Sequence, residues 1–169
     1  GYDTNSFERT AYHALTEGFV PLARIAVRTR LPGLHLVPSN ILLAGAELSL
    51  RTVSGRELIL GEQLRSVSRD FDVCVIDCSP SLGLLMVNAL GASTGVVIPV
   101  QAHFFALDGL KRLLDTIQHI RTRFYPCLVS PVGVVLTFVE DRTALSKRIE
   151  TGLRSLFGAL VFQTVIHKS

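Results

Sequence analysis

One carboxylate at the end of an apolar run is the feature of this sequence with the clearest chemical meaning. Residues 71–77 read FDVCVID, and the run ends at Asp77. A strand that delivers an aspartate to its carboxyl end can place it where a nucleotide hydrolase holds Mg²⁺, directly or through water, beside the phosphates. This is the Walker B role. An aspartate that only caps the turn after a strand gives the same local pattern, so the run alone leaves both interpretations open.

The elements around Asp77 predict how it is positioned. The run at 71–77 is typical of a strand buried on both faces of a parallel sheet. Beyond it, the pattern predicts helices at residues 82–90, 106–123 and 143–157 and strands at residues 95–100, 132–138 and 161–166. This alternation indicates an α/β fold, Rossmann-like or P-loop-like, with a mostly parallel sheet and helices on both faces. Ligands of such sheets bind beyond the carboxyl ends of the strands.

The N-terminal part predicts shorter elements. Residues 4–28 favour two helices separated by Gly18, and residues 34–37 favour a short strand. Residues 54–57 have the S-x-x-E spacing of a capping box, which predicts the start of a helix that ends near Arg65.

Composition predicts one cytoplasmic domain. The 169 residues are 48% hydrophobic and 18% charged, which is enough apolar material for one core and too little length for two ordinary domains. No apolar stretch is long enough to cross a bilayer, and the first residues lack the pattern of a signal peptide. The net charge of +3 permits a weak attraction to nucleic acid or anionic lipid and decides neither.

The three cysteines indicate reduced thiols. Cys74, Cys78 and Cys127 include no C-x-x-C pair, which fits a cytoplasmic protein. Because Cys74 and Cys78 lie in or beside the apolar run, we expect them in the core and not as metal ligands.

Several sequence blocks, in order, resemble those of the ParA/Soj family of partitioning ATPases. Residues 77–83 (DCSPSLG) look like the family's D-x-P-P-S-L-G switch segment, with Ser79 in place of the first proline. Further blocks resemble P-S-N-x-x-L-A-G-A-E at 38–47, N-A-L at 88–90, I-P-V-Q at 98–101, A-L-E-G-L at 106–110 and R-T-x-L-S at 142–146. The resemblance runs from about Tyr12 to Ile166. MinD-like relatives share the fold, but the first, third and last of these further blocks favour the partitioning branch.

The resemblance implies roles for individual residues. It makes Asp77 the Walker B residue, both catalytic and a ligand of Mg²⁺. It makes Arg142 a DNA contact, because a guanidinium in a loop before a helix can reach a phosphate. Lys147, Arg148 and Arg154 either extend that basic surface or form a solvated helix face. The implied switch II segment consists of Cys78, Ser79, Pro80, Ser81, Leu82 and Gly83.

Two family elements are not found in these 169 residues. Family members begin with a strand and the loop K-G-G-V-G-K-T, whose backbone N–H groups cradle phosphate, and continue to a strand that ends D-x-D-P-Q. His167 and Lys168 stand where proline and arginine are usual. Because phosphoryl transfer depends on positioning and charge neutralisation, we expect negligible ATPase activity from this chain alone.

The resemblance also implies what a full-length parent does. Such a protein is expected to bind ATP and Mg²⁺, form a homodimer around two nucleotides and coat DNA non-specifically. A ParB-like partner then stimulates hydrolysis, and the protein is cytoplasmic and nucleoid-associated, with no membrane partner.

Other interpretations stay open. A non-catalytic DNA- or partner-binding module would keep the fold and the basic surface, and an upstream K-G-G-x-G-K-T would argue against it. A flavodoxin-like cofactor binder would require accidental block matches. A MinD-like membrane role would need a C-terminal amphipathic helix, and a serine hydrolase would need a G-x-S-x-G elbow.

Overall fold

The α/β class predicted from the alternating pattern is confirmed in a computed structural model of the chain. The structure describes residues 3, 6–18, 20–101, 106–124, 126–140 and 143–168. The chain splits into two compact units, Gly1–Ala92 and Ser93–Ser169. That these units form one domain stays a prediction.

Short helices dominate the described part of the first unit. They are α1 (Ala11–Thr16), α2 (Leu22–Ile25), α3 (Ala46–Ser49), α4 (Ile59–Val67) and α5 (Leu84–Ala92), with a 3-10 helix at Ile41–Gly45. The strands β1 (Val27–Arg28) and β2 (His35–Leu36) pair in an antiparallel ladder. A buried cluster holds the helices together and comprises Ala14, Val20, Leu22, Ile25 and Val67, with Leu60, Leu64 and Phe71 packed against it.

The predicted capping box at residues 54–57 is wrong. The helix α4 begins at Ile59, and Leu58 stands at its N-cap. The N–H of Leu58 donates to the carbonyl of Gly55 at 2.9 Å, which closes a turn. Gly55 has a φ of +72°, a left-handed backbone that suits a turn and interrupts a helix. The turn therefore occupies the residues that the box would need.

The predicted strand at residues 71–77 is also wrong. Residues 73–79 have no regular secondary structure, and neither of the described sheets includes them. Val73 and Val75 are 77% and 89% exposed. An apolar run becomes a buried strand only where other strands pair with it and helices cover it. None of the described strands does so here.

The second unit is a parallel β-α-β-α-β arrangement. Its strands are β3 (Gly95–Gln101), β4 (Ser130–Val139) and β5 (Val161–His167), and its helices are α6 (Ala106–Arg123) and α7 (Ala144–Phe157). The sheet order is β3-β4-β5, and both pairs are parallel. The three strands and two helices predicted for this region are confirmed. Their buried aliphatic side chains include Ile98, Leu110, Ile117, Val134, Leu136, Leu153 and Val161.

One glycine allows β4 and β5 to pack closely. The ring of Phe162 lies against Gly133, where an added Cβ would come within 2.9 Å of Phe162 Cδ1. A side chain at this position would have to displace the Phe162 ring.

Candidate functional site

Asp77 presents an open carboxylate. It follows residues 73–76, which have no regular secondary structure, and it is exposed. Its side chain makes no hydrogen bond or ion pair with any residue that the structure describes. A carboxylate without a protein partner is free to accept a ligand from solution.

The two thiols of this segment are exposed, so the prediction that Cys74 and Cys78 lie in the core is wrong. The cause is the same unpaired backbone that exposes Val73 and Val75. Partial burial raises the pKa of both thiols, and the carboxylate of Asp77 raises the pKa of Cys78 further. Both thiols therefore stay protonated at neutral pH, and neither is an activated nucleophile.

The segment that follows Asp77 is held mainly at its end. Ser79 Oγ and Ser81 Oγ lie 2.9 Å apart, and residues 78–82 are exposed. Gly83 then precedes α5, and its carbonyl accepts the N–H of Val87 at 3.1 Å. The six residues predicted as switch II thus connect Asp77 to a helix N-terminus, and all but Gly83 are exposed.

Glu47 caps that helix from a distant segment. Its Oε1 accepts the backbone N–H of Leu85 at 3.2 Å, across 38 residues of sequence. The carboxylate lies against Gly83, where an added Cβ would come within 2.9 Å of Glu47 Cδ. The sequence signalled both residues only as members of two separate blocks, and their contact was not predicted.

The buried residue Asn88 joins α5 to α4 through partly buried hydrogen bonds. Only 1% of its surface is exposed. Its Oδ1 accepts the N–H of Leu60 at 3.1 Å, and its Nδ2 donates to the carbonyls of Arg56 at 2.8 Å and Leu84 at 3.0 Å. The amide therefore caps α4 and fixes the helix that follows the candidate switch.

The basic residues of α7 differ in whether other side chains and carbonyls already engage them. Lys147 and Arg148 are exposed. Arg154 forms an ion pair with Glu150 at 3.0 Å, and its guanidinium donates to the carbonyl of Gln163 at 3.4 Å. Arg142 lies outside the described residues. The interpretation of α7 as a basic contact surface therefore depends on the first two side chains.

The helix α7 is well capped. Thr143 Oγ1 accepts the N–H of Ser146 at 3.3 Å, and the helix ends before Gly158, whose φ is +51°. These signals explain why its limits could be predicted from sequence.

The single carboxylate of Asp77 would suit magnesium only as one ligand among several. Among the described residues, no group of three or more His, Cys, Asp or Glu side chains could hold a metal ion. Mg²⁺ is commonly bound by one or two carboxylates together with phosphate oxygens and waters, and not by a closed protein cage. A single open aspartate suits that shared mode.

Within the described part of the chain, no helix is both long and apolar enough to cross a membrane.

Sequence comparison identifies relatives with named functions. Residues 1–129 match the AAA_31 family, described as an AAA domain. The chain is 36% identical to the chromosome partitioning protein ParA of Caulobacter vibrioides over 163 residues, which are 95% of this chain and 61% of that protein. It is also 36% identical to the sporulation initiation inhibitor protein Soj of Bacillus subtilis over 169 residues, which are 100% of this chain and 66% of that protein. The chain thus spans less than two thirds of either relative.

A solved structure extends the comparison to the fold. The cobyrinic acid a,c-diamide synthase of Mycobacterium smegmatis, with a bound ATP analog and magnesium, superimposes with a TM-score of 0.89 at 32% identity. The match covers 100% of this chain and 68% of that one. The predicted resemblance is confirmed, and the chain belongs to the ParA/Soj family of P-loop ATPases.

Proposed function

We propose that this chain is the switch-bearing and DNA-contacting part of a partitioning ATPase that moves or positions a cargo such as a chromosome or plasmid. The observation that most supports this is the exposed Asp77, whose side chain none of the described residues engages, directly before residues 78–83 in a chain of this family. We propose that the protein works in the cytoplasm, at the nucleoid.

Asp77 has the role of holding Mg²⁺, directly or through water. A bound ion neutralises the charge of the nucleotide phosphates. The aspartate contributes one negative oxygen ligand, and residues 78–83 respond to the state of the nucleotide. The exposure of residues 78–82 leaves room for such a change, because little packing holds them in place.

The nucleotide phosphates need hydrogen-bond donors and positive charges, which family members supply from their phosphate-binding loop. The K-G-G-V-G-K-T loop of the family is not found in the 169 residues. We therefore propose that the chain alone has negligible ATPase activity. Together with that loop, the protein binds MgATP, forms a homodimer and is stimulated by a ParB-like partner protein.

The test compares two proteins. One is this chain, and the other is the product of its coding sequence extended upstream. Titration calorimetry with MgATP and a phosphate-release assay are expected to show binding and turnover only in the extended protein. ATP turnover by the isolated chain would contradict the proposal that hydrolysis requires the phosphate-binding loop.

A non-catalytic module is the second candidate, and the missing loop is the observation that favours it. An extended protein that lacks the loop and neither binds nor hydrolyses MgATP, yet retains DNA or partner binding, would make this module the better account.

DNA contact is proposed for Lys147, Arg148 and Arg142. Replacing Lys147 and Arg148 together by alanine is expected to weaken DNA binding of the extended protein with MgATP. The slope of log K against log salt concentration should fall by about one for each phosphate that the variant no longer neutralises. Arg154 contributes less, because Glu150 and Gln163 already engage its guanidinium.

Fluorescence anisotropy on two unrelated duplexes at several salt concentrations measures this slope. The double variant Arg65→Ala/Arg69→Ala removes the same charge from the first unit and serves as the control. Equal slopes for both double variants would show that net charge, and not the α7 surface, governs binding.

A further inference from the structure

The contact between Glu47 and the start of α5 lies at the end of the candidate switch. The carboxylate accepts the N–H of Leu85 at 3.2 Å, only two residues beyond Gly83. An added Cβ at Gly83 would come within 2.9 Å of Glu47 Cδ. The last switch residue and the first turn of the helix thus meet the same side chain.

The helix depends on this side chain for its cap. An N-cap serine, threonine or aspartate normally satisfies an N–H of the first turn, but the residue before α5 is Gly83, which has no side chain. Glu47 supplies the missing acceptor, and its negative charge is favourable at a helix N-terminus. Among the residues that the structure describes, this is the one hydrogen bond of the Glu47 side chain, and it forms no ion pair.

We infer that Glu47 is a positioning residue that couples residues 78–83 to the segment formed by Ile41–Gly45 and Ala46–Ser49. A displacement of Gly83 either carries Glu47 with it or breaks the Leu85 hydrogen bond. Either event transmits a change at the switch to a segment that is distant in sequence. The inference rests on the proposed function of residues 78–83 as a nucleotide-responsive switch.

The first test is amide exchange in this chain without nucleotide. Glu47→Ala should speed exchange of the Leu85 amide about tenfold, the effect expected when one capping hydrogen bond is removed. Glu47→Gln keeps an acceptor oxygen and should retain most of the protection. Gly83→Ala displaces the carboxylate and should act like Glu47→Ala, with no further effect in the double variant.

The control is Glu62→Ala, which removes another exposed glutamate of the same unit, and it should leave Leu85 unchanged. NMR-detected exchange measures each amide separately. Equal Leu85 exchange in the parent chain, Glu47→Ala and Glu62→Ala would overturn the inference.

The second test separates coupling from simple capping. In the extended protein, MgATP should change the exchange of residues 78–83 and of residues 41–49. Glu47→Ala should abolish the change at 41–49 and leave the Kd for MgATP within about twofold, because Glu47 is not proposed to touch the nucleotide. Glu47→Gln should restore the response.

The outcomes of this test are distinct. An unaltered response at 41–49 in Glu47→Ala overturns the coupling while the proposed function stands. An absent MgATP response in the unsubstituted extended protein overturns the proposed function, and with it the role of Glu47 at a switch, whatever exchange shows for the cap.

Discussion

Replacing the buried Asn88 by alanine is expected to lower the free energy of unfolding by about 3 kcal/mol, because the partly buried N–H of Leu60 and carbonyl of Arg56 lose this partner. Each buried polar group left without a hydrogen bond costs about 1–3 kcal/mol. Because only 1% of the Asn88 surface is exposed, water cannot readily replace the side chain. The substitution should also loosen α5, the helix directly after the candidate switch.

Urea denaturation followed by circular dichroism measures this effect. Asn88→Asp keeps the acceptor for Leu60 and loses both donated hydrogen bonds, so its stability should be reduced as well. Asn40→Ala is the matched control, because Asn40 makes one local cap, to the N–H of Leu42 at 3.1 Å. It should cost about 1 kcal/mol. Equal losses of stability for Asn88→Ala and Asn40→Ala would contradict the network described here.

Replacing Asp77 by alanine is expected to lower MgATP hydrolysis by the extended protein about 100-fold or more, the magnitude seen when one group that stabilises transition-state charge is removed. The physical reason is that, in the proposed role, the ion would lose a carboxylate ligand, while the other groups that bind the nucleotide would remain. Binding of ATP should therefore suffer less than turnover. Asp77→Asn keeps the size and removes the charge, and it should be nearly as inactive.

Steady-state phosphate release at saturating ATP and a range of Mg²⁺ concentrations checks this result. Asp72→Ala is the control, because Asp72 is another exposed aspartate of the same segment. It should leave turnover close to that of the unsubstituted protein. If the Asp77 and Asp72 variants hydrolyse MgATP equally well, Asp77 is only the turn-capping residue that the sequence pattern also allows.

Residue patterns predicted the second unit almost completely. The limits of α6 at Ala106–Arg123 match the prediction, and β3, β4 and β5 agree with it to within two residues. Short-range information suffices there, because each element has its own periodicity and stop signals. The family resemblance could likewise be read from sequence, since its blocks are local and ordered.

In the first unit, local sequence patterns do not predict how the helices are capped. The caps of three of its helices come from distant side chains. Gln63 accepts the N–H of Leu22 at 3.2 Å, Asn88 that of Leu60 and Glu47 that of Leu85. No local sequence pattern encodes such a partner. The spacing at 54–57 therefore predicts a local capping box, whereas the side chain that caps α4 is that of Asn88.

The sequence by itself determined the α/β class and the family, and it predicts Asp77 as the carboxylate of the site. Only the tertiary structure decided that residues 73–76 are unpaired, that Arg154 is engaged by Glu150, and that Glu47 meets Gly83. The physical reason is that periodicity specifies which side of an element is apolar or charged. What covers that side, or which donor satisfies a helix end, depends on contacts between segments far apart in the chain.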